Sequence, residues 1–474
     1  MATPSGLTRR QLLSLVPMTA LAGSLVSCAR SATAPSVRSM LNQEQFVIAH
    51  RGSGDNWTEH TLHSYRQAAA HGAAAVELSV HRTSDGIFVC HHDANLERLT
   101  GEDRLIAQTS FAELQGVRND ARQWLGPATP VRPIPRLESV MEELAGRCVL
   151  FIEDKTGAHA VQLLEELDRW PQAKDAIVWK QNSTAAGREL AAERGYPVWG
   201  YFAPDTIELA GTLAKDFDLL GVHDSASDEQ VKTLVDSGKP VICWEIHTRW
   251  QSEHFAALGV RGMMCSNLLY VAPGKTRTSG PRSDDFASGR RAAGDLPDAL
   301  SWSAQPVFRR ELGAVELPAA RKNSYTLGSL HVASESLGSI RCQLRWPTLS
   351  GGNPVAGVAF AVPTDKPYRA FEDSQRTGYH LQLSASGELS LWCCTGSGMR
   401  RLFGAQGAPL SAGQWVELEV QGSEEGLVLR RDGEQIGSVA MREPLATDYV
   451  SLLSLIPEGV PVQFRKVRIH PKAS

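Results

Sequence analysis

The sequence predicts an α/β fold, a (β/α)8 TIM barrel, followed by an all-β sandwich of the jelly-roll type. From about residue 46 to 272, short apolar segments alternate with amphipathic helical segments, a pattern typical of a parallel sheet. About eight such units, without a glycine-rich dinucleotide loop after the first strand, favour a barrel over a doubly wound sheet. In residues 299–474, short alternating segments separated by turns replace the helices, which indicates an antiparallel sandwich.

The strands of the first domain are predicted from apolar runs, most of which end in polar residues. In chain order these runs are FVIAH, AAVELSV, IFVCHHD, CVLFIED, AIVWK, PVWGYF, LLGVH, PVICWEI and GMMCS. Several helical segments between them end in glycine, as a helix C-terminus should. Residues 273–298, rich in Gly, Ser, Arg and Asp, predict a linker. In the second domain, Asp432-Gly433 predicts a tight hairpin between two strands.

The N-terminus predicts export. Residues 1–28 resemble a twin-arginine lipoprotein signal, because Arg9-Arg10 precedes an apolar stretch and Leu25-Val26-Ser27-Cys28 is similar to a lipobox. We expect a lipid anchor at Cys28 and a tether over residues 29–45. The protein is then expected at the outer face of the bacterial cytoplasmic membrane, or it is secreted. An ordinary signal peptide with a chance cysteine is the alternative.

The composition gives no reason to expect a nucleic-acid partner, and the cysteines do not indicate a disulfide scaffold. A net charge of -4, a pI near 6.4 and scattered basic residues give no reason to expect a nucleic-acid partner. Beyond Cys28, the odd number of cysteines and their spacing argue against a disulfide scaffold and a zinc site. Cys90, Cys148 and Cys243 lie in apolar runs and are expected to be buried thiols. One disulfide is possible, but the sequence does not indicate which cysteines would form it.

Polar residues end nearly every strand of the predicted barrel, where the active sites of such barrels lie. Histidines suit acid–base chemistry, carboxylates on neighbouring strands suit a divalent cation, and Arg with Lys suits a phosphate. The combination indicates metal-assisted chemistry on a phosphate ester. The strand-end residues are His50, Arg51, Glu77, Ser79, His81, His92, Asp93, Glu153, Asp154, Lys155, Lys180, His223, Asp224, Trp244, Glu245 and His247.

The first domain resembles the glycerophosphodiester phosphodiesterase family over about residues 46 to 272. The family's motifs are matched, in order and spacing, by His50-Arg51-Gly52, Thr58-Glu59-His60-Thr61, Glu77-Leu78-Ser79, Thr83-Ser84-Asp85-Gly86, His92-Asp93, LFIEDK, CWEIH and GVRGMMCSN. The resemblance implies a TIM barrel that cleaves glycerophosphodiesters to glycerol phosphate and an alcohol. It also implies a divalent cation, Ca²⁺ or Mg²⁺, as cofactor.

The resemblance implies a role for each matched residue. One catalytic histidine would protonate the leaving alcohol and the other would deprotonate the attacking hydroxyl; these residues are His50 and His92. The residues implied to bind the phosphate or line the substrate pocket are Arg51, Lys155 and Trp244. The implied metal ligands are Glu77, Glu153 and Glu59, the last of which could instead cap the following helix.

Other polar residues near these motifs have weaker assignments. His81 and His91 are expected to be scaffold, and Asp85-Gly86 is expected to be only a turn. Two further groups are open between the pocket rim and a solvated loop, namely His223-Asp224 and His247.

Three residues depart from the family's pattern. Ser79 replaces an aspartate of the second strand, His60 replaces an asparagine, and Ser266 replaces the final aspartate. The cation could be held more weakly by the three glutamates and water, Asp154 could compensate, or the domain could have lost catalysis and kept binding. We favour an active enzyme because both histidines, the arginine and the lysine are present.

The second domain resembles laminin-G and concanavalin-like sandwiches in GQWVELEVQG, LVLRRDGEQIGS and VQFRKVRIHP. The resemblance implies a possible carbohydrate or cell-wall ligand, for which Trp346, Trp392 and Trp415 could stack on sugar rings. A place in the core is the more common role of such residues, Trp415 especially. For the whole chain, the alternatives to glycerophosphodiester hydrolysis are a lysophospholipase D-type reaction and an inactive surface lipoprotein that binds carbohydrate or phosphate.

Overall fold

The computed structural model describes residues 35–272, 280–292, 306–317, 324–334, 337–349, 352–366, 377–395, 398–441, 447–456 and 460–472. The predicted signal peptide, with Cys28, lies outside these residues. Within the described ranges, no helix has both the length and the apolar character needed to cross a membrane. Pro35–Ser474 clusters as one compact unit.

Eight parallel strands close into a barrel, which confirms the predicted fold class. They are Phe46–Ala49, Ala75–Arg82, Val149–Asp154, Ile177–Asn182, Val198–Phe202, Leu219–His223, Val241–Ile246 and Gly262–Cys265, called the first to eighth barrel strands below. Each strand pairs in parallel with the next, and the first pairs with both the eighth and the second. Their apolar runs fill the barrel interior on one face and pack under the helices on the other.

The run IFVCHHD is not a barrel strand, contrary to the sequence prediction. Its strand, Phe88–Cys90, pairs antiparallel with the end of the second barrel strand, so that Cys90 lies opposite Val80. The turn between the two strands is too short for a parallel crossover, which needs a dozen or more residues. His92 is therefore returned by a hairpin to the C-terminal end of the barrel.

Helices connect the barrel strands and pack on the outside of the barrel through their apolar faces. The α-helices are Val37–Leu41, Leu62–Ala70, Glu97–Thr100, Phe111–Leu114, Arg122–Leu125, Leu137–Leu144, Ala160–Leu167, Ala173–Ala176, Arg188–Glu193, Ala210–Leu213, Asp228–Val235, Arg249–Ala257 and Leu268–Val271. Short 3-10 helices span His50–Gly52, Ile106–Gln108, Ile207–Leu209 and Ala214–Asp216. A further two-stranded sheet pairs Arg118–Asn119 with Arg132–Pro133. As predicted, Cys90, Cys148 and Cys243 are buried thiols.

The second domain is the predicted antiparallel sandwich. One sheet contains, in spatial order, Val307–Arg309, Ala314–Leu317, Val462–Pro471, Leu337–Arg345, Val416–Gly422, Gly426–Arg431 and Glu434–Ala440. The other contains Ser324–Ser334, Thr447–Ile456, Val355–Val362, Gly378–Ser384, Glu388–Thr395 and Gly398–Gln406. Their inner faces share one apolar core. The predicted hairpin is confirmed, with positive φ at both Asp432 and Gly433.

Parts of the predicted tether and linker are structured. Val37 and Met40, in the helix Val37–Leu41, pack in the apolar cluster at the barrel interior. Arg282–Ser283 pairs with the last sandwich strand, and Phe286, in the 3-10 helix Phe286–Ser288, lies in the sandwich core. A second short 3-10 helix of this domain spans Arg310–Leu312.

The tryptophans of the sandwich occupy different environments. Trp346 is buried in the core, whereas Trp392 is half-buried. Trp415 is also half-buried, with the guanidinium groups of Arg345 and Arg465 at 4.7 and 4.0 Å from its ring centre. The expectation of a core position was therefore wrong for Trp415, and two arginines contact the ring that a sugar would need. A carbohydrate or cell-wall ligand stays a prediction.

Asp365 joins the sandwich to the barrel. Its two carboxylate oxygens accept hydrogen bonds of 2.8 Å from the backbone N–H groups of Arg249 and Trp250, at the start of the helix Arg249–Ala257. The hydroxyl of Tyr270 donates to the same carboxylate at 2.8 Å. A carboxylate at a helix N-terminus satisfies N–H groups that the helix leaves unpaired. The helix so fixed directly follows the seventh barrel strand.

Candidate active site

The inner side chains of the barrel strands change from apolar to polar toward the strand ends. On the third strand, Val149 and Phe151 lie in the interior cluster, and Glu153 follows on the same face. On the fourth strand, Val178 is followed in the same way by Lys180. Because parallel strands end at one face of a barrel, these polar side chains converge there.

Lys180 lies at the centre of this convergence. Its Nζ donates hydrogen bonds to Glu77 Oε1 at 2.8 Å and to Glu153 Oε2 at 2.6 Å. The Tyr201 hydroxyl donates to Glu153 Oε1 at 2.6 Å, and the Ser79 hydroxyl donates to Glu77 Oε1 at 3.1 Å. One buried ammonium thus bridges carboxylates from two neighbouring strands.

The charges of this cluster stabilise one another. Burial alone would raise the pKa of Glu153, but Lys180 and Lys155 hold it at about 2, and Lys180 holds the pKa of Glu77 well below its usual range. Burial alone would lower the pKa of Lys180, yet the two glutamates raise it above its usual range. The ammonium and both carboxylates are therefore charged at neutral pH.

His50 follows the first barrel strand and is buried. Its Nδ1 lies 2.9 Å from Ser266 Oγ, and its Nε2 lies 3.9 Å from Glu245 Oε1. Burial lowers the pKa of His50 to about 3, although Glu245 acts in the opposite direction. The imidazole is neutral at neutral pH, and Ser266, one of the departures from the family's pattern, orients it.

Arg51 is held in a tight turn beside His50. Its φ is 53°, and its backbone N–H donates to Glu77 Oε2 at 2.9 Å. Gly52 follows with a φ of 78°, and a Cβ there would lie 2.5 Å from an atom of the next helix, so only glycine fits. The guanidinium lies 3.4 Å from Glu59 Oε1 and 3.6 Å from Glu245 Oε1. The turn thus places a cation at the C-terminal end of the barrel, which is called the mouth below.

His92 lies at the mouth, with a side-chain exposure of 26%. Its Nδ1 lies 2.7 Å from Asp93 Oδ1, and Arg98 Nε donates to the other oxygen of Asp93 at 2.6 Å. Its Nε2 lies 3.5 Å from Lys155 Nζ. Burial, followed by the charge of Arg51, lowers the pKa of His92 to about 4. Its Nε2 is therefore a neutral acceptor beside a lysine.

Glu59 is buried between two arginines. Its Oε1 accepts hydrogen bonds from Arg98 at 2.5 Å and from Arg51 at 3.4 Å. Burial would raise the pKa of Glu59, but the two guanidinium groups hold it well below its usual range. The alternative of a helix cap is wrong, because the side chain of Thr61 accepts the capping hydrogen bond from the backbone of Ser64.

Trp244 forms one side of the mouth, on the seventh strand. Its ring lies edge-on to Tyr201 at 5.2 Å and to His223 at 5.6 Å between ring centres. His223 thus lies at the pocket rim. His247 is buried rather than on a solvated loop, since its two ring nitrogens lie 2.7 Å from Asp55 and 3.2 Å from Glu245.

Three other sequence candidates lie outside the reacting groups. His81 Nε2 lies 3.2 Å from the carbonyl of His92, and His91 Nδ1 lies 2.9 Å from the carbonyl of Asp93, which is a scaffold role. Asp154 cannot compensate for Ser79, because its oxygens accept hydrogen bonds from Thr156 and from the backbone of His159. As the residue after Glu153, it points to the other face of the strand.

Comparison with known proteins finds a matching family model. The model of the glycerophosphoryl diester phosphodiesterase family matches residues 50–268. These residues belong to that family. Residues 50–268 include every site residue proposed from the sequence, and the structure brings all eight to the C-terminal end of the barrel: His50, Arg51, Glu59, Glu77, His92, Glu153, Lys155 and Trp244.

Individual relatives match part of this chain. Human glycerophosphodiester phosphodiesterase 1 is 36% identical over 123 residues, which is 26% of this chain and 37% of that protein. YhdW of Bacillus subtilis strain 168 is 25% identical over 230 residues, or 46% of this chain and 93% of that protein. An Oleispira antarctica phosphodiesterase, solved in complex with the product sn-glycerol-3-phosphate, is 24% identical over 47% of this chain and 92% of that chain, with a TM-score of 0.39.

The donor set does not fit the divalent cation expected for a glycerophosphoryl diester phosphodiesterase. Ca²⁺ takes about six to eight oxygen ligands. Here an ammonium lies between Glu77 and Glu153, Glu59 is paired with two arginines, and Ser79 supplies no charge. Among the residues described, no group of three or more His, Cys, Asp or Glu is placed to hold a metal ion. The cation stays a prediction that this arrangement of charges does not favour.

Several residues of the site had no role assigned from the sequence. Lys180 was noted only as the end of a strand, although a lysine in an apolar parallel strand is itself a signal of a buried charge. Asp93 orients His92 and adjoins it in sequence, so it could have been assigned. Arg98 and Ser266 act through contacts across the fold, for which the sequence contains no local signal.

Proposed function

We propose that this chain hydrolyses glycerophosphodiesters to glycerol phosphate and an alcohol by acid–base catalysis with His50 and His92. Family membership of residues 50–268 supports the reaction class. The observation that carries the proposal is the environment of His92, whose Nδ1 is fixed by Asp93 while its Nε2 lies beside Lys155 at the open mouth. A neutral imidazole oriented by a carboxylate is suited to general-base catalysis.

Arg51 and Lys155 bind the phosphate in this proposal, because both present cations at the mouth next to the histidines. The positive charge of Arg51 lowers the pKa of both His50 and His92, so its guanidinium is close enough to both rings to act on them electrostatically. A bound phosphodiester offsets that charge and raises the pKa of both histidines. Trp244 lines the pocket beside the alcohol or glycerol portion of the substrate.

The protons move as follows. His92 Nε2 takes the proton of the attacking hydroxyl, of water or of the substrate's own glycerol, as that oxygen bonds to phosphorus. The bond from phosphorus to the leaving alcohol oxygen breaks. His50, which carries a second proton in the complex with the anionic phosphodiester, gives that proton to the oxygen, and His92 then releases the proton it took to water. Glu245, 3.9 Å from His50 Nε2, favours the protonated ring and so supports the role of acid. Where the glycerol hydroxyl attacks first, water then opens the cyclic phosphate.

A panel of substrates tests the reaction class. We expect release of glycerol phosphate from glycerophosphocholine, glycerophosphoethanolamine or glycerophosphoglycerol. Hydrolysis of lysophospholipids alone would assign the lysophospholipase D-type reaction instead. Binding of a glycerophosphodiester without turnover would favour an inactive binding protein, and neither binding nor turnover would overturn the proposal.

We also propose that residues 1–28 direct export and that a lipid at Cys28 holds the protein at the outer face of the cytoplasmic membrane. The Arg9-Arg10 pair and the Leu25–Cys28 motif support this. Labelling with a radioactive fatty acid in a bacterial host should modify the wild type and not Cys28→Ser. Equal labelling, or membrane association of both, would contradict the anchor.

A further inference from the structure

We propose that Lys180 replaces the divalent cation in this site, so that the enzyme works with a permanent ammonium where a metal ion is expected. The inference rests on the proposed phosphodiesterase function for its catalytic part. Its structural part concerns only which cation the carboxylates of Glu77 and Glu153 bind.

Lys180 occupies the position where a metal ion would lie. Lys180 Nζ lies 2.8 Å from Glu77 and 2.6 Å from Glu153, the two carboxylates expected to share a metal. A Ca²⁺ ion would bind the same oxygens at about 2.3–2.6 Å, so it would need the same space. It would also be repelled by the ammonium at close range in a buried setting. The ion and the lysine therefore exclude each other.

The charges of the cluster also favour the lysine over a metal ion. Glu77 and Glu153 carry two negative charges, which Lys180 and Lys155 balance. Relative to the family's pattern, Ser79 removes one negative charge. Lys180 supplies one positive charge to the cluster as it stands. An aspartate at position 79 would add an unpaired charge beside Glu77, whereas the Ser79 hydroxyl donates a hydrogen bond to it.

Lys180 is also buried and packed between aromatic rings. Lys180 has a side-chain exposure of 9%, and its ammonium lies 5.3 and 5.9 Å from the ring centres of Tyr201 and Trp199. Removing it would leave the buried carboxylate of Glu77 without its ammonium partner, and only Lys155 would remain beside Glu153. Glu77 and Glu153 take two of its three donors, which leaves one for a phosphate oxygen.

The alternative is that Lys180 only fills the site until a metal displaces it. Elemental analysis and calorimetry of the purified chain with Ca²⁺ and with Mg²⁺ separate the two. We expect substoichiometric metal, no heat of binding, and hydrolysis that a chelator leaves unchanged. One equivalent of bound ion, or chelator-sensitive hydrolysis restored by Ca²⁺ or Mg²⁺, would overturn the proposal. Because metal binding is measured without substrate, an inactive chain that binds no metal refutes only the proposed function.

Variants sharpen the test. Lys180→Ala should reduce kcat by about 10²- to 10³-fold, the range for removing one group that stabilises transition-state charge. The double variant Ser79→Asp with Lys180→Ala should bind Ca²⁺ or Mg²⁺ in calorimetry and depend on it for hydrolysis. Lys174→Ala, which changes an exposed lysine, should behave as the wild type. Circular dichroism reports folding of each variant, and a folded double variant that binds no metal would contradict the assignment of this position as a cation site.

Discussion

The barrel mouth and the sandwich differ in how they pair buried carboxylates. At the mouth, the carboxylates of Glu77 and Glu153 meet Lys180, which is itself buried. In the sandwich, Glu316 pairs with Arg309, whose side chain is 41% exposed. Val315 and Leu317 point into the apolar core between the two sheets, and Glu316, between them on the strand, points to the opposite face.

This difference separates charge kept for stability from charge kept for function. Burying two opposite charges loses more hydration than a surface pair does, and an apolar replacement of similar size is often as stable. A cluster of buried charges at the end of a barrel is therefore expected to serve a site. The sandwich obtains its stability from apolar burial. Its ion pairs lie near water, which weakens the attraction between the charges and reduces the hydration that they lose.

The largest expected effect comes from removing the cation of each pair. Lys180→Met should lower the free energy of unfolding by about 3–5 kcal/mol, because it removes the ammonium that pairs with the buried carboxylates of Glu77 and Glu153. Arg309→Met should cost at most about 1 kcal/mol, because water and Gln463 can still reach Glu316. Urea denaturation of both variants measures the difference. Equal losses would show that the two regions do not differ as described.

The second effect is a loss of stability at acid pH, which is caused by protonation of His50 at the barrel mouth. His50 has a pKa lowered to about 3, so it binds its proton in the unfolded chain before the folded one. Its contribution is present above pH 6.5 and is lost as the pH falls toward 3. Between pH 6.5 and 5 this amounts to about 2 kcal/mol. Urea denaturation at both pH values should show a smaller drop for His50→Asn than for the wild type, while the exposed-site variant His71→Asn keeps the full drop. An unchanged slope in His50→Asn would contradict the low pKa.

The smallest effect is expected where the two regions meet. Asp365→Ala removes a carboxylate that binds two backbone N–H groups of the helix after the seventh barrel strand. The loss should be about 1 kcal/mol, as for a helix cap. It should also raise KM, because that strand carries Trp244. Thermal denaturation and steady-state kinetics measure the two, with the exposed-site variant Asp205→Ala as control. No change in either would mean that the sandwich does not support the site.

The sequence predicted the barrel because its strands and helices repeat with distinct periods. The hairpin that returns His92 was missed, since an apolar run reads alike in parallel and antiparallel strands. The length of the turn before Phe88 was the available signal. The eight proposed site residues lie together at the C-terminal end of the barrel because each ends a strand or lies in a motif near one.

Partners that lie far away in the sequence could not be predicted. Lys180 is 103 positions from Glu77 and 27 from Glu153, so their contact depends on closure of the barrel. Ser79 looked like a missing ligand in the sequence. In the structure its hydroxyl donates to Glu77, beside the lysine that supplies a positive charge.

The most direct test of the account is the rate of glycerol phosphate release by the wild type, His92→Ala and His71→Ala. The account predicts hydrolysis by the wild type and by His71→Ala, and a rate lower by about 10²- to 10⁴-fold for His92→Ala, as for the loss of a general base. A His92→Ala variant that hydrolyses the same substrate at the wild-type rate would contradict it.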